Sequence, residues 1–545
     1  MKRIKKMLLK KVTIVFVVLA MIMAFLTRRY TVLSADPSGE KDCPPLVIDA
    51  DGQVASASAH AETTQQTAPA PLTGINLPWY QRGGTVNDAS CLNRTAVHGV
   101  VKVQSEDDIL QAVSYAKDNG LRVSIAGVRH SMGGHAFAAG AVVLDMLEFN
   151  NITLNEEAMT VTVQSGTTWH QIQDKIHPQY AVTAMQSTDI FSVGGSISVN
   201  AHGMDHNYGA LGNTVRSLKI MLADGSIQTV SRTENPELYF HALGGYGLFG
   251  IILEAELDIT ENAIYETSRQ TIPFSEFQTV FENEIESNTN IALFYAHLST
   301  APQNLFDEVI LYKYEETGID INSVEVPPLA EGSATKAKRW LLNVSKRGPA
   351  WRYMKWWAEK KIEPMIETCT ISRNQAMTEG ESCMVSRNNP MHDSVPYLQN
   401  DLKNDTDILH EYFIPRDEFD SFVAGTREII LEHDANLLNA SVRVVHHEDN
   451  VLTYAPEEMF SLVLYVNQST DETGNQQMAA LTAALIDLTI EHNGRFFLPY
   501  QLYYTADQLE AAYPEIEAFF ATKRKYDPEE LFRNTFYNRY APAFE

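Results

Sequence analysis

Three glycine-rich stretches carry the chemistry that this chain can offer: SIAGVRHSMGGHAF (Ser124 to Phe137), SVGGSISVNAHG (Ser192 to Gly203) and GGYGLFG (Gly244 to Gly250). Glycine lets a backbone approach another molecule closely, at an entropic cost. Consecutive unpaired N–H groups in such loops form concavities that hold anions without cationic side chains. Each stretch lies beside a segment that reads as a strand, so together they imply one long ligand gripped along its length, with phosphates in the middle. Gly245, Gly247 and Gly250 satisfy GxGxxG, but a dinucleotide site of that type needs a strand before it and a helix after. Here the order is reversed, which excludes the Rossmann reading. HGMDH (His202, His206) and HSMGGH (His130, His135) sit among glycines and lack the Glu of HExxH, so no metal site is expected. No GxSxG elbow is present for a serine nucleophile.

The flanking elements must present these loops. SEDDILQAVSYAKDNG reads as a helix: Ser105 is a natural N-cap, Ile109, Val113 and Ala116 share one face, and Gly120 stops it. Leu121 to Ile125 then reads as a strand running straight into the first loop. Ala141 to Leu144 and Met159 to Val163 read as further strands, and SLKIMLADGSIQTV as a hairpin turned at Asp224-Gly225. ENPELYFHALGG reads as a helix entered through Asn235-Pro236 and closed by Gly244. ILEAELDIT alternates, with Leu253, Ala255, Leu257 and Ile259 inward and Glu254, Glu256 and Asp258 outward. Hairpins mixed with crossing helices indicate an α+β fold, not a regular βαβ series. Beyond about Glu261 the periodic signals weaken. HEYFIP and FSLVLYVNQ still read as strands, and DEFDSFVAGTREIILEHD and MAALTAALIDLTIEHNG as helices.

At 545 residues and 44% apolar content the chain can bury a large core in more than one domain. A formal charge of −27 excludes a nucleic-acid binder, which needs a basic surface. The first 35 residues differ from the rest: MKRIKKMLLKK is basic, Val12 to Leu26 is apolar, and VLSA (Val32 to Ala35) offers a small-residue cleavage site. Residues 1–35 therefore read as a signal peptide or a membrane anchor. Either places the remainder outside the cytoplasm, with the N-terminal segment as the membrane contact. Residues 36–78 are rich in Ala, Thr and Pro and read as a flexible linker. Of the four cysteines, Cys43, Cys91, Cys369 and Cys383, none has CxxC spacing. Outside the cytosol an even count permits disulfides, with Cys369 and Cys383 the favoured pair.

The order and content of the three loops resemble the PCMH-type FAD-binding domain of the vanillyl-alcohol oxidase family. The resemblance runs from about Val101 to Thr260 and resumes in KRKYDPEELFRNTF (Lys523 to Phe536), similar to the family's returning C-terminal segment. It implies two α+β subdomains around FAD at 79–262, an α+β cap at 263–500 and a returning segment at 501–545. FAD would lie against Ala126, Gly127, Val128, Arg129, His130 and Ser131 of the first loop, with Arg129 where the family usually has glycine. It would also meet Ser187, Asp189, Gly194, Gly195, Ser198, His202 and Gly203 of the second, Gly250 and Ile252 of the third, and Asn534 of the returning segment. His130 occupies the slot where many relatives tether FAD covalently; the other reading is a histidine beside a non-covalent flavin.

The later half is most similar to the sugar-alcohol and aldonolactone oxidase branch, through HEYFIP and SVRVVHHEDN (Ser441 to Asn450). Arg443 keeps the Arg of that branch's Glu-x-Arg pair, while Ser441 replaces its Glu. Leu498-Pro499-Tyr500-Gln501 stands about where the branch has His-Trp-Gly-Lys. The implied function is hydride transfer from a CH–OH group of a sugar, polyol or aldonolactone-like substrate to FAD. Arg443, Glu411 and Tyr500 are the candidate catalytic residues, and oxygen or an electron carrier accepts the electrons. The other readings are a flavin dehydrogenase acting on an amine or another alcohol, and a non-catalytic FAD-fold binding protein.

Overall fold

The computed structural model describes residues 17–31, 77–329, 335–363, 383–392 and 404–545. The expected linker up to residue 76, the VLSA site, Cys43 and Cys369 lie outside them. Cys91 is disulfide-bonded, and no described cysteine is free. Residues 17–31 are helical and apolar, but no described helix is long and apolar enough to cross a membrane.

The fold is α+β, with three principal sheets. In the first, the order is Trp79–Arg82, Gly99–Lys102, Val142–Asp145, Val123–Ala126; the last three strands run parallel, and the first is antiparallel to its neighbour. The parallel pairing needs a crossover, supplied by the helix Glu106–Asp118. Its start is fixed by a capping box: the Ser105 side chain accepts from the Asp108 N–H, and the Asp108 side chain reaches back to the Ser105 N–H. Ile109, Ala112, Val113 and Ala116 pack on the sheet together with Leu531 and Phe532. The C-terminal segment thus returns to this sheet. The Val123 N–H donates to the Leu531 carbonyl at 2.8 Å, the Arg533 N–H to the Val123 carbonyl at 3.0 Å, and the Ser124 hydroxyl to the Arg533 carbonyl at 2.7 Å.

The second sheet is antiparallel, ordered Ile227–Ser231, Val215–Met221, Ile251–Glu261, Thr160–Gln164, Ile152–Asn155, with Tyr180–Val182 pairing at the far end of Ile251–Glu261. The alternation read from ILEAELDIT holds: Leu253, Ala255, Leu257 and Ile259 are buried, and the acidic residues between them are half-exposed. The third sheet has eight strands, ordered Cys383–Ser386, Ile264–Pro273, Glu308–Glu316, Ile291–Leu298, Asn436–Val445, Met459–Ser469, Asp405–Pro415, Arg495–Phe496. The helices Phe419–Glu432 and Glu472–Glu491 cover one face, where Tyr412 meets Phe422. Because side chains alternate along a strand, Glu411 and Phe413 point to the other face, toward the glycine loops.

Candidate active site

The three glycine loops meet around one cavity. The first contributes Gly127, Val128, Arg129, His130 and Ser131, the second Gly194, Gly195 and Ser198, and the third Gly250 and Ile252; Leu409, Phe497 and Tyr500 line it from the eight-stranded sheet's side. Close approach of the loops dictates where glycine is needed. A Cβ at Gly127 would lie 2.0 Å from Ser192 Oγ, and one at Gly133 would lie 2.2 Å from the Tyr500 carbonyl oxygen.

The first loop is built for an anion. No described protein group accepts a hydrogen bond from the backbone N–H of any residue from Val128 to Gly133. Buried or half-buried N–H groups normally find partners, so this run of donors fits a diphosphate. Arg129 is the one Lys or Arg among the lining residues, and its φ of 61° lies in the left-handed region. That conformation costs an L-residue roughly 1–2 kcal/mol, which explains the glycine common in this slot. His130 has a buried Nδ1 without a protein partner, and Phe191 abuts its ring edge-on at 5.2 Å. Burial, and then the Arg129 charge, lower His130 to about 4, so the imidazole is neutral near pH 7. Burial likewise lowers His135 to about 3. The orphaned donors, the neutral imidazole and the glycine-lined walls fit FAD.

Opposite the first loop sits a buried carboxylate. Glu411 Oε1 lies 2.5 Å from His202 Nε2 and accepts from the Ser461 hydroxyl at 2.5 Å; Oε2 accepts from the Tyr500 hydroxyl at 3.3 Å. Burial alone would raise its pKa. The His202 charge and the bonds from His202, Ser461 and Tyr500 outweigh that, and hold Glu411 below the usual carboxylate range. Tyr500 is pushed well above its ordinary value by burial and then by the Glu411 charge, so it remains a phenol. A phenol on the cavity wall that donates to an ionised carboxylate can relay a proton outward from the cavity.

The other expected residues stand further back. Ala126 ends the strand beneath the first loop, and Ser187 and Gly203 do not line the cavity; a Cβ at Gly203 would lie 1.9 Å from the Met185 carbonyl oxygen. Asp189 turns away to His170 and His392, whose Nδ1 atoms each lie 2.8 Å from its Oδ2. These three offer ligand atoms within 4.8 Å of one another, a grouping that could hold a metal ion and that no sequence motif signalled. His202 does not line the cavity but meets Glu411. The Asn534 side chain donates to the carbonyl of Tyr246, itself a lining residue, at 2.9 Å. Arg443 is not brought to the cavity: its guanidinium lies 4.7 Å over the Tyr295 ring. It does stand directly opposite Ser461 in the strand register. Sequence reading passed over Gln186, Ser192, Phe497 and Ser461. Only Ser192, which opens the second loop, and Gln186, next to the expected contact Ser187, carried any signal there.

The FAD binding domain family matches residues 97–231. Over 174 residues the chain is 32% identical to decaprenylphosphoryl-beta-D-ribose oxidase of Mycolicibacterium smegmatis, covering 31% of this chain and 38% of that one. Over 191 residues it is 28% identical to cytokinin dehydrogenase 2 of Arabidopsis thaliana, covering 34% and 38%. The matched part thus spans well under half of either relative. A solved structure of a solvent-stable cholesterol oxidase shares the fold, with a TM-score of 0.64 at 16% identity over 85% of this chain and 98% of that one. The chain carries a PCMH-type FAD-binding domain and is homologous, across that domain, to FAD-linked oxidoreductases.

Proposed function

We propose that this protein is an FAD-dependent oxidoreductase that oxidises a CH–OH group of a small polar substrate of the sugar, polyol or aldonolactone type, with oxygen as acceptor. The observation that carries this reading is the juxtaposition, across one cavity, of the free N–H run Val128–Gly133 and the Tyr500–Glu411 pair. When bound, FAD supplies a two-electron acceptor for the hydride leaving the substrate carbon. The chain supplies the rest. The Val128–Gly133 donors and Arg129 hold the diphosphate, and Gly127, Gly194, Gly195, Gly250 and Ile252 form the walls. Tyr500 takes the substrate hydroxyl proton while passing its own to Glu411, which the surrounding donors keep ionised and ready to accept. His202 and Ser461 orient that carboxylate.

Two finer readings belong with this one. His130 is the point of covalent attachment to FAD, supported by its place in the cavity wall, its unpartnered Nδ1 and its neutral state. The domain works outside the cytoplasm, supported by the basic, apolar, small-residue order of residues 1–35. Fractionation tests the latter, since recovery of full-length soluble cytosolic protein would refute it. A second activity, a dehydrogenase passing electrons to a carrier, draws support from the relative named cytokinin dehydrogenase. Purified protein mixed anaerobically with sugars, polyols, aldonolactones, other alcohols and amines distinguishes them. Flavin bleaching by the first three, with peroxide formed on admitting air, is expected. Bleaching by amines alone would overturn the substrate class, and bleaching by none would overturn the reading.

A further inference from the structure

The helix Pro349–Lys361 is inside out. Surface helices turn charged residues to solvent and apolar ones to the core. Here Arg352 and Lys355 are 6% and 5% exposed, whereas Trp351, Tyr353, Trp357 and, just past the helix end, Ile362 are 39%, 51%, 47% and 38% exposed. Its rotation is fixed by polar anchors on the inner face. Arg352 Nη1 donates to the Ala435 carbonyl at 3.1 Å, and Trp356 Nε1 and Lys360 Nζ both donate to Glu308, at 3.0 and 2.6 Å; the buried Lys355 pairs within the helix, with Glu359 at 2.6 Å. Single exposed apolar side chains are ordinary. A cluster is not: among the described residues beyond 31, four of the nine exposed large apolar side chains fall on this one helix and the residue that follows it.

We propose that this face docks on an anionic lipid bilayer, a contact additional to the N-terminal segment and independent of the flavin chemistry. Charge complementarity carries the choice of occupant. Residues 335–361 contain nine Lys or Arg against one acidic residue, Glu359, in a chain whose net charge is −27; Arg339, Lys346, Arg352 and Lys355 are buried, and Lys360 pairs with Glu308 at 2.6 Å. That leaves Lys336, Arg347 and Lys361 exposed on the two neighbouring helices and the turn between them, with Lys338 also exposed but paired with Glu363 at 3.1 Å. Tryptophan and tyrosine favour the bilayer interface, and cations beside them are drawn to anionic headgroups. The N-terminal helix points to the same place. Its exposed apolar residues include Val17, Ile22 and Phe25, and its Tyr30 ring lies 6.0 Å from Trp340 on the neighbouring helix Thr335–Ser345. A second copy fits less well, because a two-fold contact would set these cations against their own images.

Vesicles of phosphatidylglycerol and phosphatidylcholine with brominated acyl chains test this on the full, flavin-loaded chain. The first of the six tryptophans is Trp79, so the N-terminal segment holds none itself, and quenching that survives loss of Trp351 and Trp357 reports Trp340 beside Tyr30. Brominated vesicles should quench up to about a third of the emission, the share of Trp351 and Trp357 among six. Trp351→Phe/Trp357→Phe, at exposed positions on which the fold does not rest, should remove most of that quenching, and phosphatidylcholine alone should cut it severalfold. Vesicle-bound protein whose emission ignores bromine would overturn the proposal. So would lipid-free dimerisation abolished by the same double substitution, which would assign the face to a second copy.

Discussion

Glu448→Gln should make the protein more stable at alkaline pH and remove a slope from its pH–stability curve. Glu448 is 3% exposed, and it ties the second glycine loop to the eight-stranded sheet. Asn200 Nδ2 donates to its Oε1 at 2.9 Å, and the Thr453 hydroxyl donates to its Oε2 at 3.1 Å. Burial is the largest influence, and it outweighs these bonds, raising the carboxyl from 4.5 to about 8. The folded protein therefore holds a proton that the unfolded chain releases above pH 4.5. The contribution to stability is full below pH 4.5, falls as pH rises, and is gone above about 8. At about 1.4 kcal/mol per unit, the loss across that window is on the order of 5 kcal/mol. Glutamine never ionises, but it presents an amide N–H₂ where one carboxyl oxygen accepted, a mismatch of about 1–3 kcal/mol. The variant should thus gain roughly 2–4 kcal/mol at pH 8.5 and lose about 1–3 at pH 4.5. Urea unfolding at the two pH values, with flavin content held equal, measures this. Parallel pH dependence in wild type and variant would refute the reasoning.

Tyr500→Phe should slow anaerobic flavin reduction by about 10²-fold or more while leaving flavin content unchanged; an unaltered rate would remove Tyr500 from the proton path. Reduction by a good substrate should stay flat around neutral pH and fall in acid as pH drops through the lowered pKa of Glu411, and Glu411→Gln should abolish that acid limb. Gly133→Ala should shift Tyr500 or the loop, because the new Cβ would lie 2.2 Å from the Tyr500 carbonyl oxygen, and so lower bound flavin per chain. Acid precipitation should leave the flavin on the wild-type pellet and release it from His130→Ala; a colourless wild-type pellet would show that no tether exists.

Much of the flavin-binding half was legible because its elements are bounded by local signals. Ser105 and Asp108 cap a helix whatever packs on it, Asp224-Gly225 turns a hairpin, and Leu253 to Ile259 alternate because one face is wet. The eight-stranded sheet was less legible. Strands such as Ile291–Leu298 and Asn436–Val445 are covered on both faces, and a strand buried on both faces loses the period-two pattern that identifies it. Within the site, the loop residues followed from glycine spacing, but the carboxylate cluster did not. Glu411 meets His202 and Ser461 across 209 and 50 residues; sheet register brings Ser461 near, and the packing of the second glycine loop on that sheet brings His202. Arg443 shows the same limit from the other side. Its match to a substrate pair was visible, but its direction, toward Tyr295, depends on that register.

The central claim is that the cavity beneath Val128–Gly133 holds FAD, and flavin content tests it most directly. The folded, purified chain should carry one FAD, by absorbance and by release or pellet analysis after denaturation. A chain purified without it should take up FAD stoichiometrically on titration. A folded, colourless protein that leaves added FAD free in solution would contradict the account.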